Sequence, residues 1–370
     1  MPERKRPFII EHFPGLKGKL PWTSLGDFPT PVQKMEKLAE MLGHKRLYVK
    51  RDDLSGKDYG GNKVRKLEFA LADAIWKGKK TVLTTGAVGS NHVLATSVYA
   101  SKLGMKTVGA FAPQPVQENL RTNILANCML GCEIEYTDNE MLLPLGIIRS
   151  YFKSWIKTGQ SPYFLWIGGS SALGVLGYVE AAFEIKAQVQ NGECPEPDFI
   201  FLPAGSGGSL AGLAAGIKLC GLKSVPVGVR VVDHWMTNEK TVSFMANRSI
   251  KFLRKRDPEV PDIRVRPTDV LMLHDYFGTA YARYTRAAVD AIELVRDLEG
   301  LVLEGTYSGK AMAGFMDFVK RPENNDKTAM FITTYNSRPL QSFLAECPGE
   351  EILPDEIRKY FDEDIAPVDQ

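Results

Sequence analysis

A lysine that follows a pair of glycines has the setting that most favours chemistry in this sequence. The residues are Gly60-Gly61-Asn62-Lys63, and the two glycines allow a tight turn and a close backbone approach. Apolar spacing over 65–74 predicts a helix, so Lys63 is expected at a turn that leads into it. An amine aimed inward there loses hydration, which lowers its pKa and favours the neutral form that Schiff-base chemistry needs. A solvated lysine at a basic helix start fits the same residues.

A glycine- and serine-rich turn at 204–210 is a candidate anion site. Successive N–H groups at the start of a helix can hold a phosphate, which the helix dipole also favours. The turn is not a dinucleotide fingerprint, because Leu210 occupies the third glycine position, and it lacks the ending of a nucleotide P-loop. A smaller phosphorylated cofactor is therefore favoured, with a tight packing turn as the alternative.

Other segments offer polar groups with two interpretations each. In the turn at 86–92, Ser90, Asn91 and His92 could bind a carboxylate, or Ser90 could simply cap a helix. The turn at 168–174 could face a ligand or act as a hinge. Tyr281 and Tyr307 lie close to glycines, which is compatible with a site, although tyrosines more often serve packing.

Composition bounds the class of protein. The 370 residues predict two domains, and a net charge of +2 gives no strong field for nucleic acid or an anionic membrane. No apolar run approaches membrane-spanning length, and the run at 8–10 is too short for a signal peptide. The five scattered cysteines favour a reducing, cytoplasmic compartment. Because no second His or Cys pair accompanies Cys128 and Cys132, no metal site is predicted.

Short β-rich runs alternate with helical patterns along most of the chain. The predicted strands lie at 46–50, 81–84, 107–111, 133–136, 163–167, 198–202, 225–232, 270–273 and 329–333. Besides 65–74, the predicted helices include one that runs from after Val32 to Leu42 and others at 91–103, 210–219 and 280–298. This alternation predicts parallel sheets covered by helices on both faces, with ligands outside the carboxyl ends of the strands. The acidic tail from Pro348 shows little periodicity and is predicted to be a peripheral arm.

Taken in order, the motifs at 60–63, 90–92, 204–210 and 307–310 resemble those of the 1-aminocyclopropane-1-carboxylate deaminase and D-cysteine desulfhydrase family. These are pyridoxal-phosphate enzymes of fold-type II, the tryptophan synthase β-like group. The resemblance covers about 30–334 and implies an α/β fold with two open parallel-sheet domains and pyridoxal 5'-phosphate in the cleft between them. It implies a small domain at 66–174 and a discontinuous large domain at 1–65 and 175–370.

The resemblance also implies how the cofactor is bound. Lys63 would attach it as a Schiff base and later act as the base, and Lys66 would face the phosphate. Thr334 would offer a hydroxyl to the pyridine nitrogen. The phosphate would lie within a loop made of Gly205, Ser206, Gly207, Gly208 and Ser209.

Substrate contacts are implied in the same way. Ser90, with the amides of Asn91 and His92, would hold the substrate carboxylate, and Ser90 could relay a proton. Asn91 would also bond the cofactor's phenolic oxygen. Tyr281 and Tyr307 would border the reacting carbon as acid/base or positioning groups.

Some positions depart from the family pattern. The deaminases of the family place Glu directly after the tyrosine that corresponds to Tyr307, whereas this chain has Ser308, which favours the desulfhydrase-like branch. Where the family has Gly-Gly after the position of Thr334, this chain has the bulkier run 335–339, whose Tyr335 and Arg338 would crowd or recharge the pocket rim. Departures also occur at Ser171 and at 283–285.

The resulting interpretation is a pyridoxal-phosphate-dependent lyase that eliminates a β-leaving group from a small amino acid. D-cysteine is the leading candidate, with keto acid, ammonia and sulfide as products. The alternatives are a 1-aminocyclopropane-1-carboxylate deaminase and a non-catalytic protein that binds the cofactor or an amino acid. A small amino-acid substrate is the expected partner, without nucleic acid or membrane, and the resemblance implies a homodimer.

Overall fold

The computed structural model describes residues 6–370, so the first residues of the charged N-terminal segment lie outside the described part. The chain divides into two compact units. Unit 1 contains the chain up to Phe69 together with Ser170–Arg338 and Val368–Gln370, and unit 2 contains Ala70–Gly169 and Pro339–Pro367. The first division falls within a helix, α3 (Asn62–Trp76).

Unit 1 is built on a six-stranded sheet. Its strands, in spatial order, are β1 (Val32–Lys34), β2 (Leu47–Lys50), β10 (Ala329–Ile332), β7 (Phe199–Ala204), β8 (Val225–Arg230) and β9 (Leu271–Leu273). Only the edge strand β1 runs antiparallel to its neighbour; the other pairs of this sheet are parallel.

Helices cover both faces of this sheet. They are α1 (Phe8–His12), α2 (Glu36–Met41), the first turns of α3, α7 (Leu176–Gln190), α8 (Gly208–Cys220), α9 (Glu239–Arg254), α10 (Arg286–Glu299) and α11 (Ser308–Val319). In β7, Ile200 and Leu202 pack in a core with α7, α8 and α9, whereas Phe201 between them packs in a core with α2, α10 and α11. Side chains alternate along a strand, so the two cores lie on opposite faces.

Unit 2 contains a smaller, fully parallel sheet. Its strands, in spatial order, are β5 (Glu133–Tyr136), β4 (Lys106–Ala112), β3 (Thr81–Ala87) and β6 (Tyr163–Leu165). Its helices are the rest of α3, α4 (Asn91–Lys102), α5 (Glu118–Met129), α6 (Leu143–Thr158), α12 (Gln341–Leu344) and α13 (Asp355–Asp362). The predicted α/β class with parallel sheets is thus confirmed.

Three local predictions were wrong. The helix predicted from after Val32 to Leu42 begins only at Glu36, because Gln33 and Lys34 belong to strand β1, whose Val32 pairs with Lys50. The helix expected from residue 280 begins at Arg286, because Thr285 caps it and the residues before it form an irregular loop. The tail is not featureless, since α13 buries Ile357 and Tyr360 in a core with α4 and α5.

The unit boundaries at 69/70 and 169/170 lie within about five residues of the predicted domain limits, and the larger difference lies near the C-terminus. Segment Pro339–Pro367 groups with unit 2, whereas the prediction assigned all of 175–370 to the large domain. The apolar contacts of Leu353, Ile357 and Tyr360 explain this grouping. The family-type domain limits at 66 and 174 stay a prediction. Within the described residues, no helix is both long and apolar enough to span a membrane.

Candidate active site

Lys63 is the second residue of α3, rather than part of a turn that precedes the helix. Its amine donates a hydrogen bond to Asn62 Oδ1 at 2.9 Å. Part of the residue's surface is accessible, yet protein atoms surround the amine, and this burial lowers the pKa of Lys63 to about 8, with the carboxylate of Glu304 acting in the opposite direction. A substantial fraction of the amine is therefore neutral near pH 8, as a nucleophilic lysine requires.

Two glycines and a distant asparagine determine where α3 begins. Gly61 has φ +90°, and a Cβ there would lie 2.7 Å from the carbonyl oxygen of Thr334, so only glycine fits. The N–H of Gly60 donates to Asn336 Oδ1 at 2.7 Å, and the N–H of Asn62 donates to the Thr334 carbonyl at 3.1 Å. The turn before Lys63 is thus held against the end of β10.

A buried ion network fixes the next turn of α3. The guanidinium of Arg65 donates to Asp52 at 2.7 and 2.8 Å and to Glu184 at 2.8 and 2.9 Å. The amine of Lys50 lies 2.5 Å from Glu184 Oε1, and all four side chains are at most 1% exposed. Since Arg65 lies between Lys63 and Lys66 in sequence, this network orients the helix that carries both lysines.

The glycine-rich loop leads into the N-terminus of α8, as predicted. Gly207 is its N-cap with φ +76°, and this residue provides no side-chain cap, so the first N–H groups of α8 are directed away from the helix. A Cβ on Gly208 would lie 2.3 Å from Ser170 Oγ and 3.1 Å from Lys66 Nζ. Glycine at this position therefore allows a buried amine and a hydroxyl to approach the helix terminus.

The groups at this terminus are suited to an anion, which would in turn favour the ammonium form of Lys66. Burial, together with the positive charge of Lys63, holds the pKa of Lys66 well below its ordinary value. A phosphate here would meet backbone N–H groups, the positive end of the helix dipole and a lysine. The residues present fit the phosphate of a small cofactor.

Hydrogen bonds connect the lysine segment with the glycine loop. Asn62 Nδ2 donates to Ser209 Oγ at 3.1 Å, while Asn62 Oδ1 accepts from Lys63. The structure thus brings together Lys63, Lys66 and the loop, which are far apart in sequence.

Sequence reasoning assigned no role to two hydroxyl groups beside the loop. Ser170 Oγ lies 2.7 Å from Ser206 Oγ, and Thr237 Oγ1 donates to the carbonyl of Gly205. Ser170 follows the glycine pair of the turn at 168–174, and this pattern already indicated a possible ligand-facing loop. No local pattern marks Thr237, since it reaches the loop only through the tertiary fold.

The two predicted tyrosines are in contact. The hydroxyls of Tyr281 and Tyr307 hydrogen-bond each other, with the ring centroids 6.1 Å apart in a T-shaped arrangement. A Cβ on Gly205 would lie 3.0 Å from the Tyr307 ring, so the pair adjoins the glycine loop. Burial, and secondarily Tyr281, raises the pKa of Tyr307 well above its usual range, which keeps its hydroxyl protonated.

Glu304 organises the N-terminus of α11. Its carboxylate accepts from the N–H groups of Thr306, Tyr307 and Ser308 at 2.8–2.9 Å. The Ser308 hydroxyl accepts from the N–H of Glu304 at 2.9 Å. The carboxylate closest to Ser308 in sequence is therefore used in capping the helix. Thr334, the other predicted hydroxyl partner, lies just after β10 and is 8% exposed.

The remaining predicted residues lie in unit 2, at the start of α4. Ser90 is the N-cap, and its Oγ accepts from the N–H of Val93 at 3.3 Å, so the capping interpretation is confirmed. Gly86 permits this arrangement, because a Cβ there would lie 2.4 Å from Ser90 Oγ. Asn91 Oδ1 accepts from Asn123 Nδ2 at 2.9 Å. The imidazole of His92 lies 3.1 Å from the hydroxyl of Thr84. The backbone N–H of His92 is therefore the group of this residue that stays a candidate donor to a substrate carboxylate.

A further cluster, His234, Glu239 and His274, places potential ligand atoms within 4.8 Å of one another. Arg230 Nε donates to Nδ1 of His274 at 3.2 Å, which assigns the ring proton to Nε2, and Nε2 lies 3.1 Å from Glu239 Oε1. Metal-binding histidines usually donate through the second ring nitrogen, whereas this one accepts from a cation. The chemistry of the cluster therefore favours a hydrogen-bonded chain.

An α/β fold in which a buried lysine with a lowered pKa adjoins a helix N-terminus that fits a phosphate is typical of one class, the fold-type II pyridoxal-phosphate enzymes. The profile of the family described as pyridoxal-phosphate dependent enzyme matches residues 23–334. This chain belongs to that family, and its cofactor is pyridoxal phosphate.

Two individual relatives match most of this chain. A putative 1-aminocyclopropane-1-carboxylate deaminase from Pyrococcus furiosus is 34% identical over 320 residues, covering 86% of this chain and 93% of the relative. A D-cysteine desulfhydrase from Salmonella paratyphi B is 33% identical over 328 residues, covering 85% of this chain and 94% of the relative.

Solved structures agree on the fold. The crystal structure of an ACC deaminase homologue superposes with a TM-score of 0.76 at 31% identity, over 92% of this chain and 99% of that one. A fungal L-serine ammonia-lyase from Rhizomucor miehei has a TM-score of 0.57 at 16% identity, over 88% of this chain and 100% of that one. This likeness supports the fold alone. The predictions of family, fold class, cofactor and enzyme are confirmed, whereas the roles of the individual site residues stay predictions.

Proposed function

We propose that this enzyme is a lyase that eliminates the β-substituent of a small amino acid, with D-cysteine as the substrate. Water is consumed, and the products are pyruvate, ammonia and hydrogen sulfide. The support comes from the lysine and anion site in unit 1, and from relatives named D-cysteine desulfhydrase that match over most of their length.

The residues proposed to bind the cofactor lie on α3, α8 and β10. Lys63 would attach it covalently, and Lys66 with the N–H groups of Gly205–Ser209 would hold its phosphate. Thr334 would supply a hydroxyl to the ring nitrogen. When bound, pyridoxal phosphate supplies an electron sink that accepts negative charge from the substrate's α-carbon.

The chain's own groups then bind substrate and move protons. The amides of Asn91 and His92 at the N-terminus of α4, with the Ser90 hydroxyl, would hold the substrate carboxylate. The neutral amine of Lys63 would remove the α-proton, because its lowered pKa matches a general base near neutral pH. The Tyr281–Tyr307 pair is proposed to hold a proton near the departing sulfur, since the raised pKa of Tyr307 keeps that hydroxyl protonated.

The observation that favours the desulfhydrase branch is the chemistry around Ser308. A hydroxyl follows Tyr307, where the deaminases of the family have a carboxylate. Glu304 does not substitute for that carboxylate, because it already accepts from three N–H groups of the α11 terminus. A ring nitrogen without a carboxylate partner suits the loss of a good leaving group better than the opening of a strained ring.

The direct test supplies purified protein and pyridoxal phosphate with a panel of D- and L-amino acids and 1-aminocyclopropane-1-carboxylate. We expect sulfide and pyruvate in equal amounts from D-cysteine. Lys63→Ala should reduce turnover by about 10² to 10⁴-fold and remove the visible band of the covalently bound cofactor. The matched control is Lys57→Ala, an exposed lysine in the same segment.

Two other results would contradict the proposal. Release of 2-oxobutanoate from 1-aminocyclopropane-1-carboxylate at a rate that rivals D-cysteine turnover favours the deaminase, the activity named for the Pyrococcus relative. A spectral change with amino acids but no keto acid favours a non-catalytic binding protein. The bulky 335–338 segment motivates that alternative, because it would crowd the pocket rim. However, Asn336 accepts from the N–H of Gly60 and Arg338 donates to the carbonyl of Gly56, so both side chains hold the turn before Lys63.

We also propose a homodimer in the cytoplasm. The five cysteines are free thiols, which suits a reducing compartment. The exposed apolar side chains on the outer face of α6, such as Leu145 and Ile156, support a second copy as the partner.

A further inference from the structure

Tyr281 lies in a segment whose backbone needs external support. Residues 277–285, here called the Tyr281 loop, connect β9 to α10 without regular structure. Gly278 has φ +80° and Ala282 has φ +60°. The left-handed region is unfavourable for alanine, so contacts from outside the loop must stabilise this conformation.

Asp369 supplies contacts on both sides of Tyr281. Its Oδ2 accepts from the N–H of Thr279 at 2.9 Å and from the Thr279 hydroxyl at 2.7 Å, and its Oδ1 accepts from Arg283 Nε at 3.2 Å. The carboxylate lies close to the loop, because a Cβ on Gly278 would be 2.9 Å from Oδ2. Asp369 itself is 9% exposed.

The backbone of Asp369 adds a second set of contacts. Its N–H donates to the carbonyl of Tyr284 at 2.8 Å, and its carbonyl accepts from the N–H of Arg286 at 2.8 Å. These bonds make a parallel bridge between Asp369 and Thr285, the residue that caps α10. The backbone therefore fixes where Asp369 lies, and the side chain is left to fix the loop.

The two tyrosines of the pair differ in how they are held. Tyr307 immediately precedes α11, and its N–H is bound by Glu304 within the same short turn. Tyr281 lies outside any helix or strand. The conformation of the loop therefore helps to determine where its hydroxyl meets that of Tyr307.

We propose that Asp369 is a positioning residue for Tyr281, which acts by bonding Thr279 and Arg283 on either side of it. This inference rests on the proposed function, because that function gives Tyr281 its role at the substrate. Asp369 does not touch the substrate. It determines how often the Tyr281 hydroxyl lies where it can act together with Tyr307.

The first experiment measures the loop directly in the protein without cofactor. Hydrogen–deuterium exchange of peptides that cover 277–286 should be faster by about tenfold in Asp369→Asn than in the wild type, because the charge-assisted bonds to Thr279 and Arg283 are weakened. Thr279→Val, which removes one donor, should give a smaller change in the same peptides. Asp364→Asn, an exposed acid in the same part of the chain, should exchange as the wild type does.

The second experiment tests whether Asp369 acts through Tyr281. With D-cysteine, Asp369→Asn should lower kcat by about tenfold with little change in KM, since it disturbs a proton-transfer group and not a binding contact. Tyr281→Phe removes only the hydroxyl. In that background Asp369→Asn should have no further effect on kcat, because the two changes remove the same contribution.

The outcomes separate the inference from the proposed function. Unchanged loop exchange in Asp369→Asn, or additive effects on kcat in the double variant, contradicts the positioning role. If Asp369→Asn does not fold, the same two criteria apply to Thr279→Val. Wild-type protein that releases no keto acid contradicts the proposed function, while the exchange experiment still decides whether Asp369 holds the loop.

Discussion

At the scale of single residues, the property with the clearest consequence is the lowered pKa of Lys63. Burial outweighs the attraction of Glu304 and brings this pKa to about 8. A lysine with its usual value would be almost entirely protonated at neutral pH and a poor nucleophile. The rate at which the protein without cofactor captures pyridoxal phosphate should therefore rise with pH around 8, and level off where an ordinary lysine would still be charged.

The contribution of Glu304 to the pKa of Lys63 can be tested by a substitution that removes its charge. Glu304→Gln removes a negative charge that stabilises the ammonium form of Lys63, so the midpoint of the capture profile should move to lower pH. Glu323→Gln, an exposed acid, should leave it unchanged. Stopped-flow absorbance between pH 6 and 10 measures the profile, and a midpoint near 10 for the wild type would contradict the assignment of Lys63 as the nucleophile.

Residues of the site differ in how visible they are in the sequence. Lys63 and the glycines at 205–208 are marked by local spacing, because a tight turn and a helix terminus each require particular residue types nearby. Thr237 contacts the glycine loop and Asp369 contacts the Tyr281 loop from distant parts of the chain, and nothing in their own neighbourhood indicates the groups that they meet. Long-range pairing of this kind is set by the sheet and its connections.

At the scale of elements, helix α3 depends on the buried network of Lys50, Asp52, Arg65 and Glu184. Burial alone would raise the pKa of Glu184, but Arg65 and Lys50 outweigh it and hold that pKa far below its ordinary value. Glu184→Gln would leave Arg65 and Lys50 with less negative charge in a dry interior. Breaking a buried pair in this way costs about 3–5 kcal/mol, so we expect a loss of that size in the free energy of unfolding.

Urea denaturation followed by circular dichroism measures this loss. The pH dependence has a definite sign: because the folded-state pKa of Glu184 is depressed, its contribution is complete above the unfolded value near 4 and is lost as pH falls through the folded value. The difference between wild type and Glu184→Gln should therefore shrink in acid. Glu259→Gln, an exposed acid in unit 1, should stay within about 0.5 kcal/mol of the wild type.

Elements were predicted best where burial and periodicity agree. The parallel strand β3 (Thr81–Ala87), for example, is an almost fully buried run that is rich in β-branched residues. Gln33 and Lys34 were mistaken for the start of a helix, because a short edge strand is defined by its partner β2 and not by its own pattern. Residues 280–285 were mistaken for helix because the Asp369 contacts that bend this loop come from another part of the sequence.

At the scale of the whole molecule, the unexplained surface is the outer face of α6 in unit 2. Large apolar side chains recur there at helical spacing, with Ile156 84% exposed and Leu145 63% exposed. Ile148, Phe152 and Trp155 lie on the same helix, and Met141 and Leu142 lie on the turn just before it. Monomers rarely expose a continuous apolar area of this kind, which favours contact with another protein surface.

Charge on the same helix favours a second copy as that partner. Arg149 and Lys153 share Glu135, and Lys157 pairs with Glu133, so the three cations of α6 face two carboxylates of β5 and leave a net charge of only 3 − 2 = +1. An apolar stripe flanked by internally paired charges can face its own copy across a two-fold axis with little repulsion between like charges. Homodimers are also what the family resemblance implies.

The homodimer hypothesis predicts a clear effect of charge on this face. Phe152→Glu or Ile156→Glu should convert a dimer to a monomer, because two copies would place carboxylates in one apolar contact. Light scattering coupled to size-exclusion chromatography distinguishes about 41 kDa from about twice that mass, given a chain of 41.1 kDa. Phe244→Glu, a similarly exposed phenylalanine on α9, should stay dimeric. A wild-type monomer at all concentrations, or a dimer that survives both α6 substitutions, would show that this face serves a different partner.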